Sequence, residues 1–519
     1  MKTTETEFKL DESLLEIEEK PKGKKKSKDK NEPVLSAYFR GLVDIVTDNS
    51  GRVAYLVSNE NSLEVVTVRE IDKVLYSPPD KRHLPFMLAS ANNVLGWYKI
   101  DSDQKLFDDV LTYLKRFSYL PQRQWLIVAC NVFLSYLQDH PDIHYLPMLL
   151  FYAVPERGKS RTGKAVSYIS YRGVHIVDLR EANLFRFSEN LKATLFFDMM
   201  DLWKKAERNG SEDILLLRFE KGARATRVIY PEKGAFKDTV YYDIFGSTII
   251  ATNEAVHKIL GSRCIDISMP NRPGNYENPA PEKAQELKER LTAWRARGIS
   301  KPLPKIDTIE GLSGRLWDIS KPLLQVCRLV YLQGFNDLTN ALFGVAGQRI
   351  ADKKESIEGQ IISILYGLSP KGLTEWRIKT SELLDPLNED RPDNHKLTPQ
   401  YIGRKLKAMG LQTKVAHGFS QIFLDGQGFD LLLEQYGICE KASPNSPILT
   451  LPTESRETTG EDLGEDIKPP LNPHPQENPQ NQGKVRMGEE GRVSSGVGKY
   501  ISKIDVDLTG IELFGVEIT

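Results

Sequence analysis

The sequence predicts an α/β protein whose centre is a parallel β-sheet wrapped by helices. Between residues 145 and 275, short buried apolar runs alternate with helical segments, which is the pattern of strands joined by helical crossovers. One of these runs, Leu149–Tyr152, leads directly into a loop that contains glycine and lysine. Shorter β-rich runs precede this region, and helical periodicity follows it. We therefore expect the chemistry of the protein to lie within 145–275.

Bulk composition sets limits on the class of protein. The 519 residues are enough for two to four domains, each with its own core. Charged residues make up 27% of the chain but cancel to a formal net charge of -1, so contact with nucleic acid requires a local basic patch. The cysteines are far apart in sequence and form no metal-binding pattern, which predicts reduced thiols in a cytoplasmic protein. We find no signal peptide and no membrane-spanning segment.

Changes in composition divide the chain into eight segments. At the ends we expect three segments that do not form a core of their own: a disordered arm at 1–33, a disordered linker at 441–497 and a docking peptide at 498–519. Between them we expect five folded segments: a small β-rich module at 34–95, a helical segment at 96–144, the sheet core at 145–275, a helical lid at 276–350 and a winged-helix-like module at 351–440.

The loop after the first apolar run matches the P-loop pattern A/G-x4-G-K-S/T, since residues 153–160 read AVPERGKS. Such a loop binds phosphates through successive backbone N–H groups at the N-terminus of a helix. In this pattern Gly158 permits close approach, Lys159 reaches the outer phosphates, and Ser160 holds Mg²⁺. The predicted nucleotide-binding residues are Ala153, Pro155, Glu156, Arg157, Gly158, Lys159, Ser160 and Arg161.

A second register of the same pattern overlaps the first. Gly158 and the pair Gly163-Lys164 have the required spacing, but the next residue is Ala165, which has no hydroxyl for a metal. The first register also leaves a helix of normal crossover length, from Ser160 to Tyr171. We therefore prefer the first register, with an ordinary surface turn rich in glycine and lysine as the alternative.

A second apolar run of the sheet core, Leu195–Asp198, ends in a carboxylate. That position suits an aspartate that binds Mg²⁺ through water. Met199 follows, where a catalytic Glu is usual in such proteins. Asp201 or Glu207 is then the candidate for orienting the attacking water, unless hydrolysis is weak or absent. A purely structural capping role for Asp201 is the other interpretation.

A third apolar run, at 247–254, contains Asn253 near its end and is followed by Arg263. This layout resembles the sensor asparagine and the arginine finger of AAA+-type machines. There the asparagine hydrogen-bonds the attacking water, and the arginine stabilises transition-state charge in a neighbouring subunit. An ordinary strand followed by a surface arginine is the alternative.

Together these motifs resemble an uncharacterised family of P-loop ATPases found beside primases and helicases in phages, plasmids and integrated elements. That family is itself similar to superfamily 3 and AAA+ helicases. The resemblance spans about 125–435 and rests on the stretches PERGKS, LFFDMMD, ILLLRFEKGARATRV, DIFGSTIIATNE, SRCIDISMP and RLWDISKPLLQVCRL. It implies an AAA+-like P-loop NTPase core in which five residues take the roles named above: Lys159, Ser160, Asp198, Asn253 and Arg263. The chain departs from the family in lacking an Asp-Glu pair at 198–199 and an extra glycine in the loop.

Two basic segments are candidates for contact with DNA. The first, at 218–227, includes Arg224 and Arg227, with a solvated loop or a subunit contact as the alternatives. The second belongs to a helix that Thr398 caps and Gly410 ends, in a module that resembles a winged helix. The predicted phosphate contacts in that module are Arg404, Lys405, Lys407 and Lys414. A charged outer helix face would look the same.

Two functions fit these patterns. The first is an oligomeric, DNA-associated ATPase of a mobile element that acts in DNA replication or helicase loading, with ATP and Mg²⁺ as cofactors. The second is a nucleotide-dependent DNA-binding or regulatory protein in which hydrolysis is weak or absent. A phosphotransferase is less favoured, because the sequence offers no acceptor pocket. The histidines form no paired metal-ligand spacing, so no metal other than Mg²⁺ is indicated.

Overall fold

The computed structural model describes residues 32–59, 62–254, 256–369, 375–416 and 419–438. The predicted linker and docking peptide lie outside these residues, and so does the predicted arm apart from its last two positions. Across the described residues, no helix combines the length with the hydropathy that crossing a bilayer requires.

Seven short strands begin the fold and form two small sheets. They are β1 (Val34–Leu35), β2 (Leu42–Thr47), β3 (Val53–Asn59), β4 (Ser62–Val66), β5 (Arg69–Ile71), β6 (Val74–Ser77) and β7 (Ala89–Ser90). The larger sheet has the order β4-β3-β2-β7 and the smaller has β1-β6-β5. The long pairings, β2 with β3 and β3 with β4, are antiparallel, so hairpin connections of a few residues are sufficient.

Three helices lead from these sheets into the core: α1 (Ala91–Ile100), α2 (Asp103–Lys115) and α3 (Gln122–Ser135). In α2 the apolar residues recur at helical spacing, and Leu106, Val110 and Leu114 are fully buried on one face. The hydroxyl of Ser102 accepts from the amide of Lys105 and caps the start of this helix. By contrast α3 is buried on all sides, which suits its nearly continuous apolar sequence.

The strands of the core region are β8 (Met148–Tyr152), β9 (Val174–Ile176), β10 (Leu195–Asp198), β11 (Arg224–Val228), β12 (Thr239–Asp243), β13 (Thr248–Thr252) and β14 (Cys264–Ser268). Five of them form one sheet in the order β14-β8-β13-β10-β9, with every pair parallel. The other two, β11 and β12, pair as an antiparallel hairpin. The predicted α/β fold with a parallel sheet is confirmed.

Helices make the connections within this region: α4 (Lys159–Ile169), α5 (Glu181–Phe185), α6 (Leu202–Asn209), α7 (Glu212–Leu217) and α8 (Lys258–Gly261). The chain leaves β8 toward the β9 edge of the sheet, but it leaves β13 toward the opposite edge, where β14 lies. Since β8 and β13 are neighbours, a crevice opens at their carboxyl ends. Ligands of open α/β sheets bind in such a crevice.

Three long helices follow the sheet: α9 (Pro281–Gly298), α10 (Gly314–Val330) and α11 (Phe335–Glu355). They belong to the segment predicted as a lid, 276–350. Helix α9 packs against α1, α2, α4 and β2, and Leu291, Trp294 and Arg295 on it are buried. It is therefore a core helix, and its polar residues are paired inside the protein.

The last folded region contains α12 (Ile357–Leu368), β15 (Glu375–Lys379), α13 (Thr380–Asn388), α14 (Pro399–Ala408), β16 (Gln412–Ala416), β17 (Phe419–Asp425) and α15 (Gly426–Tyr436). Its antiparallel sheet has the order β15-β17-β16. Ile361, Ile402 and Ile422 belong to a hydrophobic core of its own. Thr398 accepts from the amide of Tyr401 and so caps α14.

A buried group of charges joins the N-terminal sheet to the core; we name it the junction network, comprising Asp44, Asp139, Arg172, Lys288 and Arg295. Arg172 donates from Nε to Asp44 at 2.7 Å, and both side chains are almost completely buried. Arg295 makes two bonds of 2.7 Å to the carboxylate of Asp139. Lys288 donates to the carbonyl of Ser170 just after α4. The network fixes where the N-terminal sheet, α3, α4 and α9 meet.

Candidate nucleotide-binding site

The turn between β8 and α4 occupies residues 153–158 and is unusually shaped. Gly158, directly before the helix, has φ of 83° and ψ of 15°, a left-handed conformation that glycine adopts without strain. Glu156 has φ of 67°, which costs a non-glycine residue about 1–3 kcal/mol and is concentrated at ligand-binding sites. Left-handed residues alternating along a turn make an anion-binding concavity of backbone N–H groups. The turn lies at the N-terminus of α4, where the helix dipole also favours an anion.

Two cationic side chains of the turn are incompletely paired within the protein. Lys159 is 7% exposed, and its ammonium donates to the carbonyl of Val154 at 2.8 Å across the loop. Burial lowers the pKa of Lys159, and the nearby carboxylate of Asp198 opposes that shift. One Nη atom of Arg157 is buried and has no hydrogen-bond partner within the described residues. Both groups have capacity left for an anionic ligand.

The hydroxyl of Ser160 donates to Oδ1 of Asp198 at 2.8 Å. Ser160 is in the first turn of α4, while Asp198 is the last residue of β10, two strands away from β8 in the sheet. The parallel register, with Asp198 opposite Ala251 and Ala251 opposite Phe151, brings the carboxyl ends of these strands to one edge. The fold therefore brings together two residues that are 38 positions apart in sequence.

Asn253 lines the same cleft as Lys159, Ser160 and Asp198. It follows Thr252, the last residue of β13, and β13 lies between the strands that carry the loop and Asp198. The cleft has a volume of about 860 Å³, which is within the range of small-molecule sites in proteins. The predicted residues Pro155, Glu156, Arg157, Gly158 and Arg161 also line it. Ala153 lies at the start of the turn and is half-buried.

The second register of the P-loop pattern falls inside a helix. Gly163 and Lys164 both belong to α4, so no loop exists at that glycine. A Cβ atom on Gly163 would approach the ring of Phe196 to 2.2 Å, so this glycine allows α4 to pack against β10. Helix α4 ends at Ile169 rather than at the expected Tyr171. The hydroxyl of Ser170 bonds back to Val166, and Arg172 adopts φ of 48°, which ends the helix.

Asp201 does not line the cleft; it borders a smaller adjoining cavity of about 200 Å³. Asp201 has φ of 54° and immediately precedes α6, yet its side chain makes no capping bond to that helix. A hydrogen bond to Glu254 is the main cause that lowers the pKa of Asp201, and the same bond raises the pKa of Glu254. The two carboxyl groups therefore contact each other at the edge of the smaller cavity.

Arg263 also lies outside the cleft. Its guanidinium donates to the carbonyl of Ile259 at 2.7 Å and stacks 4.7 Å from the ring centre of Phe219. Its Nε is buried without a hydrogen-bond partner in the described part of the chain. Burial lowers the pKa of this guanidinium, and the neighbouring Arg315 lowers it further.

The basic segment at 218–227 is a buried anchor followed by a strand, rather than a loop. Arg218 is fully buried and donates to five oxygen acceptors, including Oγ1 of Thr248 at 2.9 Å. Arg224 and Arg227 are on β11. Arg224 is exposed, whereas Arg227 forms an ion pair with Glu181 and so ties the hairpin to α5.

The predicted DNA contacts of the C-terminal region also include both exposed cations and a cation that is paired within the protein. Arg404 and Lys407 are exposed on α14, and Lys414 is exposed on β16. Lys405 instead donates to Glu358 on α12 at 2.6 Å, which raises the pKa of the lysine. Three of the four cations therefore face solvent, while Lys405 is held by an internal partner.

Several residues that line the cleft are not among the site residues predicted from the sequence. They come from the segment after α2 and from the segment after β14: Phe117, Ser118, Tyr119, Pro270, Asn271, Arg272, Pro273, Gly274 and Tyr276. Thr162 on α4 donates to Ser118 at 2.6 Å, which fixes the first of these segments against the P-loop helix. No residue of α9, α10 or α11 lines the cleft.

The residues present fit a nucleotide with its Mg²⁺ ion. Ser160 and Asp198 present hydroxyl and carboxylate oxygens, the hard ligands that Mg²⁺ prefers. Within the described residues, no three His, Cys, Asp or Glu side chains are grouped to hold a metal on their own. Mg²⁺ commonly takes one or two carboxylates and completes its shell with phosphate oxygens and water. The unpartnered Nη of Arg157 adds a donor for an anion.

No protein-family model and no curated protein sequence matches the chain. Among solved structures, the active helicase Cch of SCCmec type IV aligns over 76% of this chain and 80% of its own, with 11% identity and a TM-score of 0.30. The C-terminal region of NrS-1 aligns over 73% and 95%, with 13% identity and a TM-score of 0.32. A full-length MCM homologue from Methanopyrus kandleri aligns over 58% and 74%, with 12% identity and a TM-score of 0.33. Because these TM-scores are low, we draw no conclusion about this chain from the three structures.

Proposed function

We propose that the protein is an ATP-binding, DNA-associated ATPase. The observation that carries the proposal is the 2.8 Å hydrogen bond between Ser160 and Asp198, made directly behind a strained, left-handed turn at the N-terminus of α4. A phosphate nest, a hydroxyl and a carboxylate in one cleft are the parts that bind a nucleoside triphosphate with Mg²⁺. An ordinary surface turn is not expected to contact a carboxylate at the end of a strand two positions away in the sheet.

Each side chain of the cleft has a role in this proposal. The amides of 156–160 and the ammonium of Lys159 hold the outer phosphates, and Arg157 contributes its unpartnered Nη. Ser160 and Asp198 hold the Mg²⁺ ion, which neutralises charge that develops on the phosphates. Asn253, an amide at the end of β13, orients the attacking water.

The second candidate function differs from the first in the rate of ATP hydrolysis. Met199 lines the cleft at the position that directly follows Asp198, and a thioether cannot accept a proton from water. Asp201 and Glu254 are hydrogen-bonded to each other, but both border the adjoining cavity. This arrangement favours a nucleotide-dependent DNA-binding or regulatory protein in which hydrolysis is slow.

The β11–β12 hairpin is the surface that we propose for DNA. Phe236 at its tip is 99% exposed and has φ of 70°. Tyr230 is also exposed and lies 3.4 Å from the ammonium of Lys233. Exposed aromatic rings beside cations bind single-stranded nucleic acid by stacking on bases and attracting the backbone. Arg224 is on the same hairpin.

The C-terminal region supplies a second candidate surface for DNA. Its order of helices and strands, with a capped α14 followed by the β16–β17 hairpin, supports the winged-helix-like assignment. Arg404, Lys407 and Lys414 are its exposed cations. Because Lys405 is paired with Glu358, we expect it to contribute less to phosphate contact than these three.

Arg263 is relevant to whether copies of the chain associate. Since its side chain lies outside its own cleft, Arg263 acts on a phosphate only by reaching the cleft of another copy, so this role is part of the proposal of a homo-oligomer. The sequence resemblance supports a setting in the replication or helicase loading of a mobile element.

The test is phosphate release from ATP by the full chain, with and without single-stranded DNA, while light scattering follows assembly size. We expect DNA-stimulated release that Lys159→Ala abolishes and Lys164→Ala preserves, since Lys164 is the lysine of the rejected register. Tight ATP binding with no release in any condition would favour the regulatory function. A chain that binds no ATP would refute both.

A further inference from the structure

The cleft has two ends, and the phosphate loop occupies only one of them. The other end is lined by residues 117–119 after α2 and by 270–276 after β14. We name the segment 270–277 the strap. Three phosphates and a metal fill a small part of about 860 Å³, so the cleft has room for a second, larger part of a ligand.

The strap is fastened where it passes the end of α2. Arg116 makes two hydrogen bonds to the carboxylate of Glu277, at 2.9 and 2.7 Å, and the amide of Glu277 donates to the carbonyl of Arg116. These bonds lower the pKa of Glu277 to about 2, and Lys283 adds to the effect. The anchor holds the strap beside Tyr119, while the residues from Asn271 to Gly274 stay exposed.

An aromatic ring faces the strap inside the cleft. Tyr119 is half-buried, and the guanidinium of Arg272 lies 4.3 Å from its ring centre. The hydroxyl of Tyr276 donates to the carbonyl of Arg272 at 3.4 Å, within the strap itself. Arg272 thus covers one face of Tyr119 with a flat, cationic group, and no carboxylate of the described residues forms an ion pair with it. A second flat group fits the same face by the same kind of stacking.

We propose that this end of the cleft is the nucleobase site, in which the base stacks on Tyr119 and Arg272 withdraws to the outer face of the base. The inference rests on the proposed nucleotide function and adds which residues hold the base. In this proposal the exposed residues 271–274 shift outward by the thickness of one ring while Glu277 stays bonded to Arg116. Since every base has an aromatic face, this site accepts nucleoside triphosphates with little preference among bases.

The test compares two ligands of the same loop, MgATP and inorganic tripolyphosphate with Mg²⁺, by calorimetry on the full chain. Tripolyphosphate carries the phosphates without a base. We expect the wild type to bind ATP on the order of tenfold more tightly than tripolyphosphate, the usual worth of one base stacked on an aromatic side chain. Tyr119→Ala should remove this difference and leave tripolyphosphate affinity unchanged, whereas Tyr119→Phe should retain it.

Further variants separate this inference from the function on which it rests. Lys159→Ala should weaken both ligands, because both use the loop. Arg272→Ala, on the exposed strap, should weaken ATP several-fold and leave tripolyphosphate unchanged, and it does not disturb the core. Equal affinity of the wild type for the two ligands would overturn the base site alone. Binding of neither ligand by a folded wild type would overturn the nucleotide function itself.

Discussion

The cleft and the junction network both contain several charged side chains, but they differ in how completely those charges are paired within the protein. In the junction network Arg172 and Arg295 are fully buried, and each has a carboxylate partner at 2.7 Å. In the cleft, Lys159 has only a backbone carbonyl, and an Nη of Arg157 has no partner among the described residues. Charges satisfied inside the protein fix its geometry, whereas charges that face an open volume are available to a ligand.

This difference predicts where a substitution affects stability and where it affects binding. Removing one member of a buried pair leaves an uncompensated charge, so the loss appears in folding. Removing a cation from the cleft takes away an incompletely paired group and leaves the core intact. The following changes test that separation, beginning with the largest expected effect.

Arg295→Met should lower the free energy of unfolding by about 3–5 kcal/mol, because it removes a fully buried guanidinium and leaves the mostly buried carboxylate of Asp139 without its partner. Urea denaturation measures the change. Arg297→Met is the matched control on the same helix, since its ion pair with Asp103 is partly exposed and should cost at most about 1 kcal/mol. Equal losses from the two variants would contradict the distinction between the network and the surface.

Lys288 gives the network a dependence on pH. Burial lowers the pKa of Lys288 to about 8 in the folded protein, against 10.5 for the ordinary group. Between these values the unfolded chain binds more protons, so this residue makes stability rise as the pH increases from about 8 to 10.5. Lys288→Met should remove that rise and stabilise the protein at pH 7 by up to about 3 kcal/mol. Stability curves of the two proteins that stay parallel from pH 7.5 to 9.5 would count against it.

Asp198→Asn should act on binding alone. The amide cannot hold Mg²⁺ as a carboxylate does, so the gain in ATP affinity on adding Mg²⁺ should fall by roughly tenfold or more, about 1.4 kcal/mol. Calorimetry with Mg²⁺ and with EDTA measures the gain, and the unfolding midpoint should stay within a degree or two of the wild type. Asp201→Asn is the control, since Asp201 lies outside the cleft. A loss of Mg²⁺ dependence in the control but not in Asp198→Asn would reverse the assignment.

Phe236→Ala should produce an effect similar in size to that of Asp198→Asn, but confined to DNA. Removing one exposed ring from the hairpin should weaken single-stranded DNA binding by about 1–2 kcal/mol and leave ATP affinity unchanged. Fluorescence anisotropy with a labelled oligonucleotide gives the affinity. Tyr366→Ala removes an exposed aromatic ring from α12 and should have no such effect. Unchanged DNA affinity in Phe236→Ala would remove the hairpin from the proposed interface.

The sequence was sufficient to predict the parts of the cleft that depend on local order. A buried strand, a glycine-lysine turn and a helix start follow one another at 149–160, and the fold has them in that order. Asp198 and Asn253 were identified because each follows an apolar run, and parallel strands bring their carboxyl ends to one edge. The positions of these residues follow from about ten neighbouring residues and from the common direction of parallel strands.

Long-range pairings could not be predicted in the same way. Tyr119 and Arg272 are 153 positions apart, and nothing local to either residue indicates that they stack. The ion pairs of Arg227 with Glu181 and of Lys405 with Glu358 likewise depend on which elements pack together. Helix α9 has many charged residues, and its arginines pair with carboxylates on α2 and in the turns that follow α1 and α3.

The most direct measurement is the calorimetric titration of MgATP into the full chain and into its Lys159→Ala and Lys164→Ala variants. The proposed nucleotide site predicts saturable binding by the wild type and by Lys164→Ala. In Lys159→Ala, whose unfolding midpoint should match the wild type, it predicts a loss of affinity of at least tenfold. Binding that Lys159→Ala leaves unchanged, or that Lys164→Ala weakens instead, would contradict it.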